Sequence, residues 1–411
     1  MPYAASRLAP VKPSASMAVS QNAKALAAAG HDVIDLGLGE PDFDTPGHIV
    51  EAAHAAALAG QTRYPPTGGT AALKSAVAAK LKHENGLTYS PDEVIVSNGA
   101  KQVIFDALMA TLEPDQEVLL CAPYFGSYND AVLILGGTPV ELACPAENGF
   151  RLTPDMLQAA ITPSTRWLFL NLPSNPAGAV YDAEQLRALG DVLARHPQVL
   201  VLSDEIYEHI LFDGREFMSF AAVCPDLRDR ILCVNGVSKA YAMTGWRIGY
   251  GAGPQALISA MTTVQSQISS GVCSVAQAAA VAALTGPQDD VARFRQAFER
   301  RRDLVVGRVA DMPLLTLDPP GGAFYAFIGC AAAIGATAPD GSVIEDDTGF
   351  AQYLLNEGKV AAVPGSAYGL SPFFRISTAT SEDELSRAMD RIAGCVSKLS
   401  LSHREGPDKG S

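Results

Sequence analysis

The chain has 411 residues, with 30 Lys+Arg against 44 Asp+Glu and a formal net charge of −14. Hydrophobic residues make up 48% and charged residues 18%, which argues against disorder and, at about 150 residues per domain, allows two or three domains. The acidity argues against a nucleic-acid partner, which needs a clustered basic face, and no run approaches the roughly 18 apolar residues of a membrane span.

The opening segment MPYAASRLAPVKPS lacks the continuous apolar stretch of a secretion signal. Residues 1–45 are read as an N-terminal arm and part of a smaller domain. From 46 to 288, apolar runs alternate with helix-like stretches: DEVIVS, QEVLLCAP, TPVELAC, TRWLFLNLP, QVLVLSDE, RILCVNG and RIGYGAG. The first six are rich in Val, Ile and Leu on both faces, as for strands covered by helices on either side. Between them lie helical patterns such as AKQVIFDALMATL, introduced by Ser97-Asn98-Gly99, and DAEQLRALGDVLARH, capped by Asp182. The alternation predicts an α/β fold with a mostly parallel seven-stranded sheet, whose ligands bind in loops leaving the carboxyl ends of strands. Residues 289–312 predict a long charged helix ended by Pro313. It opens a smaller α+β domain over 289–400, in which 331–347 has no clear pattern, and 401–411 reads as a disordered tail.

The seven cysteines, Cys121, Cys144, Cys224, Cys233, Cys273, Cys330 and Cys395, form no C-x-x-C pair. They read as small buried hydrophobes of a reducing, cytoplasmic compartment. Seven histidines, none paired at i,i+4, give no metal site. Gly249-x-Gly-x-Gly253 follows a strand, but it does not complete the G-x-G-x-x-G of a dinucleotide enzyme and does not open a first βαβ unit.

Five segments can carry chemistry. In Ser97-Asn-Gly-Ala-Lys101, the N–H groups of a strand-to-helix turn and the helix dipole make an anion cradle. In Asn171-Leu-Pro-Ser-Asn-Pro-Ala-Gly178, prolines on both sides fix the backbone of Asn175. In VLVLSDEIY, Asp204 ends a wholly apolar strand, where a carboxylate is expensive unless it meets a cation such as a pyridinium N–H; Tyr207 offers a phenol three residues on. Taken alone, Asp204 and Glu205 equally describe the cap of the next helix. In Asn235-Gly-Val-Ser-Lys-Ala-Tyr-Ala-Met-Thr-Gly-Trp-Arg247, Lys239 follows a strand end, a place where partial desolvation and nearby cations would favour the neutral amine that a Schiff base requires. Ser238 and Arg247 would hold an anion such as phosphate, although a Lys and an Arg at a strand end also describe plain surface charges. In Pro372-Phe-Phe-Arg375, an arginine sits in an apolar strand.

Together these residues resemble the class I and II pyridoxal-phosphate aminotransferases of fold type I, and more closely the bacterial aspartate-aminotransferase subgroup. The resemblance runs from Leu36-Gly-Leu-Gly-Glu-Pro-Asp-Phe-Asp-Thr-Pro46 to Phe374-Arg-Ile-Ser377. It implies pyridoxal 5'-phosphate as cofactor and amino-acid and 2-oxo-acid substrates. It makes Lys239 the Schiff-base lysine that later moves the proton, Asp204 the partner of the ring nitrogen, and Tyr207 and Asn175 the residues at the ring's O3′. Gly99, Ala100, Lys101, Ser238 and Arg247 match the phosphate neighbourhood, and Phe125 stands where the subgroup usually has a stacking Trp. Leu172 and Ala177 replace a usually small residue and a usual threonine. Tyr64 looks like the tyrosine that reaches the partner subunit's cofactor, which implies a homodimer with shared active sites. Arg375 matches the clamp on the substrate's α-carboxylate, helped by the backbone near Gly39.

Many aspartate aminotransferases take the distal carboxylate with a partner arginine from the segment matching 260–275, which here carries no basic residue. Lys101 is placed to take that role, or only to neutralise phosphate. An aromatic or broad-range transaminase and a C–S lyase are alternatives on the same fold, and a non-enzymatic regulator would need an attached DNA-binding module.

Overall fold

A computed structural model of the chain describes residues 3–401; the tail expected to be disordered lies, past Leu401, outside them. Twelve strands run through the described residues: β1 (Ile34–Asp35), β2 (Val94–Asn98), β3 (Glu117–Ala122), β4 (Thr138–Ala143), β5 (Thr165–Asn171), β6 (Leu200–Asp204), β7 (Ile231–Gly236), β8 (Ile248–Ala252), β9 (Tyr325–Gly329), β10 (Val360–Ala361), β11 (Val363–Pro364) and β12 (Phe373–Ser377). The chain divides into two compact units, one taking in residues up to 12, 40–299 and 320–323, the other 13–39, 300–319 and 324 onward. The divisions expected from sequence stood at 45/46 and 288/289. The long helix, Asp289–Ala310, therefore passes from one unit to the other, and it ends two residues before the expected Met312.

In the larger unit all seven apolar runs form one sheet, ordered β2-β8-β7-β6-β5-β3-β4. Strands β7, β6, β5, β3 and β4 are parallel, and β8 runs antiparallel to both its neighbours. Side chains alternate between two cores. Leu168, Leu170 and Val201 pack on one face, and Trp167, Phe169 and Leu202 on the other. Burying each large side chain contributes about 1.5–3 kcal/mol, which fixes the register of these central strands. The expectation of two buried faces fails for β4. It is an edge strand whose Thr138, Glu141 and Ala143 are exposed.

Register decides where the loops begin. Asn171 at the end of β5 pairs with Asp204 at the end of β6, which pairs with Val234 in β7. Asn98 at the end of β2 pairs with Ile248 at the start of β8, so Arg247 and Gly99 leave the sheet at the same edge. The helix Ala183–Ala194 starts at the expected Asp182, in a capping box with Gln185.

The smaller unit holds an antiparallel sheet, β11-β12-β9, and a parallel pair, β1-β10. The helix Glu382–Ser397 covers its core with Leu385, Met389, Ile392 and Val396. Residues 331–347, unpatterned in sequence, form a 3-10 turn at Ala331–Ala333 and a tight loop in which Gly335 N–H donates to Ile344 O, with Ala338 and Ile344 buried. No helix of the described residues is long and apolar enough to cross a membrane. Five cysteines are buried, as expected, Cys121 is half-buried, and Cys273 departs from the expectation by being exposed.

Candidate active site

The turn between β2 and the helix Ala100–Thr111 is built around Gly99, whose φ of +84° few other residues adopt without strain. No side chain caps this helix. Its first N–H groups, at Ala100 and Lys101, are the kind that bind anions. A Cβ on Gly99 would run into the guanidinium of Arg247. Arg247 itself donates to Thr244 O at 2.9 Å and to Asn98 O at 3.2 Å, which holds the guanidinium beside the turn. Lys101 is exposed, and its Nζ stands 5.2 Å from the centroid of the Phe125 ring. Partial desolvation and then the Arg247 charge lower its pKa. Helix terminus, arginine and lysine thus lie together at one turn.

Along the same sheet edge, Asp204 is buried at the end of β6. Its Oδ2 accepts from Tyr128 Oη at 2.6 Å and its Oδ1 from Ile206 N–H at 3.3 Å. Burial raises its pKa to about 6, while Tyr128, the Ile206 amide and Lys239 act in the opposite direction. Among the described residues its hydrogen-bond donors are all neutral, so a cationic N–H is the complement it lacks. Tyr207 is buried three residues on, and Lys239 Nζ lies 5.9 Å from the centroid of its ring. Lys239 is half-buried in the turn after β7, which is closed by Met243 N–H donating to Ser238 O at 3.1 Å; Ser238 is buried. Asn175 is buried after β5, its N–H donating to Asn171 Oδ1 at 2.7 Å. Phe125 is half-buried and meets Tyr128 edge-on, ring centroids 5.5 Å apart.

The structure therefore gathers Gly99, Ala100, Lys101, Phe125, Asn175, Asp204, Tyr207, Ser238, Lys239 and Arg247 at one edge of the larger unit. Leu172 and Ala177, the two departures near Asn175, are buried beside it. Two residues went unnoticed in the sequence. Tyr128 holds Asp204, and Asn171 both accepts from Asn175 N–H and donates to Asp204 O at 3.0 Å. The signal for Asn171 was a polar residue ending an apolar strand, whereas nothing in the spacing marked Tyr128.

Tyr64 stands apart. Its side chain is 93% exposed, in a groove of about 750 Å³ lined by residues 61–65 and 269–275. In the smaller unit Arg375 is buried in β12, between Phe327 and Val363 on its neighbours. It donates to Gly37 O at 2.5 Å and to Ser16 Oγ at 3.3 Å, and its guanidinium carbon lies 4.5 and 5.0 Å from the ring centroids of Tyr325 and Tyr368. Gly39 lies against Tyr325 so closely that a Cβ would overlap the phenol oxygen.

A lysine, a buried carboxylate, a phenol and an anion cradle on the carboxyl edge of one α/β sheet form the arrangement of a pyridoxal-phosphate enzyme of fold type I. The chain belongs to the class I and II aminotransferases, whose family model matches residues 31–392, and its cofactor is pyridoxal phosphate. It is 52% identical over 396 residues to an aspartate aminotransferase of Rhizobium meliloti strain 1021, covering 96% of this chain and 97% of that one. It is 52% identical to an aspartate/prephenate aminotransferase of Cereibacter sphaeroides, covering 97% and 100%. The crystal structure of the Rhizobium meliloti aspartate aminotransferase matches with a TM-score of 0.95 over 97% of this chain and 100% of that one, at 52% identity. The Thermus thermophilus aspartate aminotransferase solved with maleate matches with a TM-score of 0.89 at 40% identity, over 96% and 100%. The chain is thus a transaminase acting on amino and 2-oxo acids.

Proposed function

We propose that this transaminase moves the amino group of aspartate or glutamate to a 2-oxo acid such as 2-oxoglutarate by a ping-pong reaction, as a cytoplasmic homodimer with shared active sites. The observation that carries the reading is the single sheet edge at which Lys239, Asp204 and Asn175 follow adjacent strands beside the Gly99–Arg247 cradle. Relatives named for aspartate at 52% identity support the substrate.

Pyridoxal phosphate, when bound, supplies an aldehyde that takes up the amino group and a ring that accepts the electrons freed at the substrate's Cα. Gly99, Ala100, Lys101, Ser238 and Arg247 would hold its phosphate, with Tyr64 of a second copy. Asn175 and Tyr207 would bind the ring oxygen, Phe125 would cover a face, and Asp204 would keep a proton on the ring nitrogen. Lys239 Nζ would hold the group covalently through its aldehyde carbon, and as a free amine tethered near the substrate's Cα it would take that proton as a base and return it as an acid. Arg375, with the Gly39 backbone, binds the α-carboxylate as a fork. In the larger unit Asn175 and Lys101 would be the substrate-side residues, Lys101 for the distal carboxylate.

Prephenate is a second acceptor reading. It is itself a 2-oxo acid with another carboxylate, and the Cereibacter sphaeroides relative carries its name. The test is a half-reaction screen, in which each amino acid is mixed with holoenzyme and the change in cofactor absorbance followed, with 2-oxoglutarate and prephenate as acceptors in the return half. Aspartate and glutamate should convert fastest. Borohydride reduction and mass spectrometry should place the cofactor on Lys239, and a label on another lysine would overturn the assignment.

A further inference from the structure

Immediately after Tyr207, Glu208 is buried, and its carboxylate receives donors from two other segments. Asn85 Nδ2 donates to Oε2 at 2.6 Å, Asn235 Nδ2 donates to Oε1 at 2.6 Å, and the Lys80 ammonium donates to the same Oε1. Lys80 and Asn235 are themselves buried, at 4% exposure each, and Lys80 also donates to Asn85 Oδ1 at 2.8 Å. Asn235 Oδ1 in turn accepts from Gly236 N–H at 2.7 Å, at the end of β7 and three residues before Lys239. On the other side, Glu205 N–H donates to Val234 O, which ties the same turn to β7. Burial alone would push Glu208 up, but Lys80 and then His209 outweigh it and hold its carboxyl below the usual range. Glu84, Glu208 and His209 bring three metal-type ligand atoms together, yet the ammonium of Lys80 already holds the cationic place, bonded to Glu208 and 3.5 Å from Glu84.

A buried ion pair of this kind is weak evidence for stability, because desolvation consumes most of the attraction and apolar replacements are often as stable. What such a network supplies instead is a fixed geometry, provided that its members are satisfied. Here the fixed elements are the end of the helix Ala71–Glu84, the Asp204–Tyr207 turn and the strand end that leads to Ser238 and Lys239.

We propose that Glu208, Lys80 and Asn235 form a positioning hub that holds the Lys239-bearing turn in register with Asp204 and Tyr207. These are positioning residues, acting through Lys239 and Tyr207. The inference rests on the reading that Lys239, Asp204 and Tyr207 serve the cofactor. Because the hub acts on the turn that carries Lys239 and on Tyr207, and touches neither Lys101 nor Arg375, loosening it should disturb the chemical step more than substrate affinity.

The test uses holoenzyme of two variants. Lys80→Met/Glu208→Met removes both buried charges at similar volume, and Asn235→Ala cuts the tie to β7 while leaving the ion pair intact. Both should melt cooperatively and still carry the cofactor on Lys239 after borohydride reduction. Misplacement should lower kcat about 10- to 100-fold, while KM for the amino acid changes by less than about twofold. The visible circular dichroism of the bound cofactor, which reports its orientation in the protein, should lose amplitude. Folded, Lys239-labelled variants with wild-type kcat and wild-type visible dichroism would overturn the hub. Should the double variant fail to fold, Asn235→Ala decides alone by the same two readouts. A wild-type label on a lysine other than Lys239 marks failure of the underlying reading instead.

Discussion

Tyr128 donates its phenolic hydrogen to Oδ2 of Asp204 across 2.6 Å, with both residues buried. Burial is the dominant influence on this carboxyl, raising its pKa to about 6, and Tyr128 is the leading counterweight. Tyr128→Phe should therefore move the pKa further up. The ionised carboxylate is the form that holds a ring-nitrogen proton, so cofactor affinity is lost as pH falls through this pKa, and in the variant it is lost at higher pH. A hydrogen bond to a charged group contributes about 1.5–3 kcal/mol, which makes the expected loss about tenfold to a hundredfold near neutral pH. Titrating apoenzyme with pyridoxal phosphate between about pH 5 and 8 checks it, and an unshifted profile would remove Tyr128 from the account.

The same burial makes Asp204 costly to the protein without its cofactor. A folded-state pKa of about 6 against an ordinary value of 3.8 means that the folded state prefers the protonated carboxyl. Stability from this group is fully present below 3.8 and is lost as pH rises through about 6. Asp204→Asn should stabilise the apoenzyme at about pH 8 by up to roughly 3 kcal/mol and leave it unchanged near pH 4, while transamination collapses. Urea unfolding of the two apoenzymes at both pH values reads this directly, and equal stability at high pH would contradict it.

The sheet was legible because its strands are short apolar runs, three of which, β2, β5 and β6, end on a polar residue, Asn98, Asn171 and Asp204. That pattern alone put Asp204 and Lys239 at strand ends. β4 carries a similar run, but sequence does not say which strand lies at an edge, and its exposed face follows from having one neighbour. Tyr128 was invisible because it lies in the helix Ser127–Ile134 and its partner is 76 residues away at the end of β6. The Lys80–Glu208 pair spans 128 residues and looks in sequence like two ordinary surface charges. Residues 331–347 had no period to read because their order comes from a tight loop packed on the core of the smaller unit. The role of Tyr64 came from family resemblance alone, whereas Arg375 stood out in its own setting as an arginine in an apolar strand, and the resemblance supplied only which carboxylate it would meet.

Tyr64 exposes nearly all of its ring, beside a groove whose far wall is residues 269–275. A large aromatic side chain left this open is a candidate for contact with a second copy. Mixing a Tyr64→Phe subunit with a Lys239→Ala subunit makes a hybrid in which one site combines native Lys239 with the native Tyr64 of its partner. That site should show wild-type cofactor affinity, whereas the Tyr64→Phe homodimer should be weakened at both sites. Should the hybrid's labelled site bind as weakly as the Tyr64→Phe homodimer, the tyrosine acts within its own subunit or not at all.

Substrate choice turns on Lys101. No basic residue occurs between Pro254 and Arg293, so an acidic substrate tail needs its cation elsewhere. Lys101 is the second residue of the helix of the anion cradle and holds its ammonium over Phe125, beside Arg247. A lysine is a point charge on a flexible stem and should select acids less strictly than an arginine fork. Lys101→Ala should lower kcat/KM for aspartate and glutamate by about 1.5–3 kcal/mol, the weight of a charge-assisted hydrogen bond. Activity on an uncharged amino acid should fall much less, because its side chain makes no use of that charge. Cofactor affinity separates the competing role: if Lys101 serves only the phosphate, every substrate loses equally and pyridoxal phosphate binds more weakly. That result would move the enzyme toward a broad-range transaminase.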